Sequence, residues 1–162
     1  MPATDTQLPA AHPWRRFMGM TYECVILFGV LWFVDYAFSA LTRFQGEPGT
    51  LRHIFQGLQV LVLGVYFVGF WSKGRRSLPM KTMSLQLVTQ AGGPVSTATA
   101  TVRYLSAVAM LLAALALAYY LHPAAGILVL TPYAWTLVDR DKCALYDRIA
   151  RTRLVTTNDQ PI

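Results

Sequence analysis

Little of this chain is charged. Lys, Arg, Asp and Glu supply 14% of the 162 residues against 54% for apolar and aromatic types, a balance that excludes an ordinary soluble domain of this size. Cysteine occurs twice. Cys24 lies in an apolar run and Cys143 in a basic tail, so they fall on different levels, and neither a disulfide nor a cysteine-built metal site is expected. His12, His53 and His122 are dispersed without metal-ligand spacing, so no metal is expected either. The chain has no nucleophile with a paired base and no glycine-rich phosphate loop, which argues against catalysis and against a cofactor. Low-complexity tracts and internal repeats are also missing, and residues 1–162 read as one membrane domain.

Four long apolar runs are present instead: 17–41, 54–71, 104–121 and 124–138. About 20 apolar residues rising about 1.5 Å each cross the roughly 30 Å hydrocarbon layer, so the first three suit helical spans and the fourth is short. Only His122 and Pro123 separate the last two, and proline cannot continue the helix, so they read as a tight helical hairpin or a re-entrant dip. The first run exceeds a signal-peptide core and its small-residue exit at Ala37 and Ser39 is weak, so an uncleaved span is expected. Trp14, Trp32, Trp71 and Trp135 fall near span ends, where an aromatic belt favours them as anchors.

Twelve of the fourteen basic residues fall in three places: the amino-terminal tail, residues 72–103 and residues 139–162. Arg43 and Arg52 alone lie in the first loop. Short basic loops stay in the cytoplasm, so four spans with both termini cytoplasmic are expected. Anionic headgroups then account for the net charge of +6 better than nucleic acid, for which no motif is present.

Glu23 stands out within the first run. A charged side chain at membrane depth costs about 2.5 to 3.5 kcal/mol on insertion scales and usually has a partner, a wet cavity or a task. Arg16 precedes it by seven residues, about two helical turns, which places both on one face roughly 10 Å apart, too far for easy direct contact. Asp35 is about 120° around the helix and about 18 Å further out, and reads as interfacial. Pro132 is expected to kink the fourth run and free the Leu128 carbonyl.

The cytoplasmic stretches have a different pattern. Met83-Ser84-Leu85-Gln86-Leu87 alternates with period two and leads through Val88 and Thr89 to Gly92-Gly93-Pro94, as a strand entering a turn does. Val95 to Thr97 is expected to form a second strand, and Thr152 to Thr156 a third in a small antiparallel sheet, with an ordered loop on lipid headgroups as the alternative. Leu145 and Ile149, four apart, predict a short interfacial helix, on whose surface Asp147 and Arg151 would pair weakly, at under about 1 kcal/mol.

Three of these stretches together resemble the RDD family of small bacterial membrane proteins. Arg15-Arg16-Phe17-Met18-Gly19-Met20-Thr21-Tyr22-Glu23 is similar to its opening arginine with an acidic residue seven positions on, here glutamate for aspartate. Ser77-Leu78-Pro79-Met80-Lys81, then Leu85-Gln86-Leu87-Val88, resembles its basic cytoplasmic stretch, with Pro79 where glycine is usual. Leu145-Tyr146-Asp147 and Thr152-Arg153-Leu154-Val155 resemble its closing motif, with Tyr146 in place of histidine, and Arg103 matches a commonly basic position. The resemblance covers nearly the whole chain. It implies an inner-membrane protein and, as a suggested role, transport of an unidentified ligand.

The expected architecture is an all-α membrane protein, a four-span bundle with a small cytoplasmic β element. Its candidate site joins Glu23, Arg16, Asp147 and Arg103: if Arg16 and Asp147 meet beneath Glu23, they form a polar pocket on the cytoplasmic side. Glu23 is then either a carboxylate that loads and unloads a proton or cation, or a structural hub held by Arg16, Arg103 or a backbone group. Transport is preferred because leucine would supply cohesion without a buried charge, and so small a bundle would line a pathway as a homo-oligomer. A scaffold that binds a protein partner through its cytoplasmic face is the alternative.

Overall fold

The computed structural model describes residues 9–139 and 142–157. Helix α1 runs from Pro13 to Thr42, one turn before the apolar run begins. His12 sets that start: its side chain accepts the Trp14 amide, and Pro13 follows where the first turn has no use for an amide proton. Helix α2 covers Thr50–Trp71, the short α3 covers Leu78–Thr82, and β1 covers Leu85–Thr89. Next come α4 at Thr97–Tyr120, a 3-10 helix at Pro123–Leu130, α5 at Thr131–Val138, α6 at Leu145–Ile149 and β2 at Thr152–Thr156.

Helices α1, α2 and α4 are long and apolar enough to cross a membrane. Within their most apolar windows only 6%, 6% and 22% is buried inside the protein, so Phe28, Phe33, Leu61, Val65 and Leu112 point outward. In water such a surface would aggregate; against acyl chains it is the expected exterior. The fourth run is not one α-helix. His122 caps Ala124, a 3-10 helix packs back along α4, and Pro132 stands in the first turn of α5. The Leu128 carbonyl is not freed, because the Thr131 amide takes it.

The polar ends of the long helices meet a small core. Strands β1 and β2 pair antiparallel with Leu85 opposite Thr156, Leu87 opposite Leu154 and Thr89 opposite Thr152. The period-two pattern turns Leu85 and Leu87 onto Trp71, Met80, Ala100 and Tyr104, all buried. Ahead of α1, the Ala11 amide donates to the Leu154 carbonyl, which ties the start of that helix to β2. No strand forms at Val95 to Thr97. Pro94 makes a single bridge to Val88, and Ser96 already caps α4 by accepting the Thr99 amide, so Thr97 is helical.

Candidate functional site

Asp147 is the centre of the site. Helix α6 aims it inward, where it is fully buried and accepts from Arg16 Nη2 at 2.6 Å, Arg103 Nε at 2.8 Å and the Ala144 amide at 3.1 Å. Arg103 Nη2 also lies 2.7 Å from Oδ1. The weak surface pair with Arg151 does not form, because Arg151 lies beyond the helix, exposed, with a left-handed φ of 51°. Burial alone pushes the Asp147 carboxyl up, but Arg103 and Arg16 outweigh it and hold the group below the usual carboxylate range.

Both arginines are held on several sides. Arg16 also donates through Nη1 to the Lys142 carbonyl. The Arg103 guanidinium lies 3.9 Å from the centroid of the Trp71 ring and 5.0 Å from that of Tyr146. Trp71 is therefore no membrane-surface anchor: it is 9% exposed and forms a wall of the cluster, whereas Trp14 and Trp32 are over 60% exposed. Nη1 of Arg103 is buried and has no hydrogen-bond partner among the described residues.

Glu23 is held differently. It is 8% exposed, and its two oxygens accept from Tyr66 of α2 at 2.9 Å and from Ser77 at 3.1 Å. Neither Arg16 nor Arg103 bonds to it; both turn to Asp147 instead. Ser77 also caps α3 by accepting the Met80 amide, ahead of Leu78 and Pro79. Pro79 sits in the first turn of α3, where its missing amide proton leaves no helical bond unmade. Sequence reasoning missed Tyr66, Ser77 and the role of Trp71, although Ser-x-Pro is a legible cap signal.

Glu23 and both arginines line a cavity of about 470 Å³ between α1 and α4, each of which packs on α2. Its walls are apolar: Leu27 from α1, Leu63 and Phe67 from α2, Val108 and Leu111 from α4. Tyr104 closes the α2 side by donating to the Val60 carbonyl at 2.6 Å, its ring close against Gly64. Asp35 lies elsewhere, bonded to Gln59 of α2 at 3.1 Å.

The sequence profile of the RDD family matches residues 10–151. The chain belongs to the RDD family. No curated protein and no solved structure matches it. The match spans the cluster from Arg16 through Glu23 and Arg103 to Asp147, and with three apolar helices it makes this RDD protein an integral membrane protein.

Proposed function

We propose that this RDD protein moves an ion or small ligand across a bacterial inner membrane, with Glu23 as the carboxylate that loads and unloads. The observation that carries the reading is the contrast between two buried carboxylates. Asp147 is locked by two guanidiniums, whereas Glu23 faces the cavity and, among the described residues, is hydrogen-bonded by hydroxyls. A hydroxyl donates to a carboxylate and accepts from a carboxylic acid, so both forms of Glu23 keep partners. Such a group can change protonation without leaving a buried atom orphaned.

Four crossings with cytoplasmic termini are part of the same proposal. Arg16 near the start of α1, Arg103 near the start of α4 and Asp147 of α6 converge on one face, which supports a return of the chain after α4. Tyr133 of α5 donates to the Pro13 carbonyl, which supports that return. A 3-10 helix rises about 2.0 Å per residue, so this short segment reaches further than an α-helix would. The positive charge of the converging face supports its cytoplasmic placement against anionic headgroups. A pathway of this size calls for a homo-oligomer.

Ion and proton flux in proteoliposomes tests the reading, with intact protein and a folded Glu23→Gln variant under imposed Na⁺, K⁺ and pH gradients. Flux lost in the variant is the expected result. Silence in both would refute transport and leave the scaffold with a cytoplasmic protein partner as the better account.

A further inference from the structure

The polarity of the cavity runs in one direction. At its base are Arg16, the fourth residue of α1, and Arg103, the seventh of α4, within about 5 to 10 Å of the helix starts. That is headgroup and glycerol depth for a helix that begins at the membrane surface. Further along the helices the lining turns to Leu27, Leu63, Val108 and Leu111. Charge at one end and about three turns of apolar wall beyond it is the polarity sequence of a lipid.

The base also carries more positive than negative charge among its described groups. Arg16 and Arg103 carry two positive charges and Asp147 offsets one, so the cluster holds a net charge of +1 whenever Glu23 is protonated. Arg103 lines the cavity at 4% exposure, and its Nη1 has no hydrogen-bond partner among the described residues. A buried donor left unmade costs about 1 to 3 kcal/mol, more for a charged group, unless a ligand completes it. The groups that act on Glu23 from its neighbours are Tyr66, Ser77 and Arg103.

We propose that this cavity holds one acyl chain of an anionic phospholipid, with its phosphate anchored on Arg103 and Arg16. A phosphodiester carries one negative charge and suits a guanidinium's paired donors, which matches the cluster with Glu23 protonated. The inference rests on taking the cavity as the ligand site and names the ligand class. Lipid and proton would then enter together, with no net change in the buried charge.

Binding is measured rather than flux, so that its failure is separable from failure of transport. The full-length protein in mixed micelles receives equal phosphatidylglycerol and phosphatidylcholine, and retained lipid is read by native mass spectrometry. At least ten-fold preference for phosphatidylglycerol is expected, lost in Val108→Trp, which fills the apolar wall, and kept or strengthened in Glu23→Gln. Equal retention of both lipids would overturn the proposal, as would a folded Val108→Trp that retains phosphatidylglycerol unchanged. Displacement by equimolar palmitate would overturn the phospholipid assignment. Should Val108→Trp not fold, maleimide labelling of Cys24, which also lines the cavity, decides the matter in the wild type. Phosphatidylglycerol is expected to slow it at least five-fold relative to phosphatidylcholine, and equal rates would refute occupancy.

Discussion

Replacing Asp147 by Asn keeps its shape and removes its charge. Two arginines, 4% and 8% exposed, would then face one another without a counter-ion. The new amide group would also present N–H donors toward guanidinium donors, so at least one of the bonds at 2.6 and 2.8 Å has to break. Removing one partner of a buried ion pair costs about 3 to 5 kcal/mol, because the remaining charge stays desolvated. For a chain of this length that corresponds to a fall in Tm of about 6 to 20 °C. Fluorescence-detected gel filtration after heating in detergent measures it. Arg75→Gln is the control, since Arg75 is exposed and an exposed surface substitution changes stability by about 0.5 kcal/mol or less. A fall of less than about 2 °C for Asp147→Asn, or one no larger than the control's, would refute the claim that this cluster holds the helices together. The pH dependence has a definite sign. Asp147 titrates lower in the folded protein than in the unfolded chain, so its stabilisation is present above about pH 4 and is lost as pH falls further through the folded value. Asp147→Asn is expected to flatten that acid limb.

Two further substitutions probe how the site is positioned. A Cβ at Gly64 would lie 3.0 Å from the Tyr104 ring, so Gly64→Ala should displace that ring, weaken its bond to Val60 and cost about 1 to 3 kcal/mol. Gly69, with open space around it, should accept alanine within about 0.5 kcal/mol, and equal thermal shifts for the two would sink the packing argument. Ser77→Ala removes both the α3 cap and a Glu23 partner; about 1 to 3 kcal/mol is expected by the same thermal assay, and an unchanged Tm would show that neither bond contributes.

What was legible in the sequence was mostly what a single helix or strand decides for itself. Hydropathy located α1, α2 and α4, the period-two pattern located β1, and β-branched residues located β2. Seven-residue spacing put Arg16 and Glu23 on one face but left open whether the arginine would reach the carboxylate, and Arg16 bonds to Asp147. The failures were of two kinds. Residues 124–130 are uniformly apolar and show no period from which a pitch could be read, so the run at 124–138 could not be told apart as a 3-10 helix followed by α5. Val95 to Thr97 suited a strand locally, but Ser96 offered α4 a cap and the helix won. Partner choice was harder still, since it depends on how each helix is rotated about its axis. Trp71 reads as a membrane anchor by position along α2 and becomes a wall of the arginine cluster only because α2 turns that face toward α4. The same rotation gives Glu23 the Tyr66 hydroxyl in place of an arginine. The structural distinction between the two carboxylates, Asp147 fixed by two guanidiniums and Glu23 held by the Tyr66 and Ser77 hydroxyls, is therefore a product of packing that neither residue's sequence context contains.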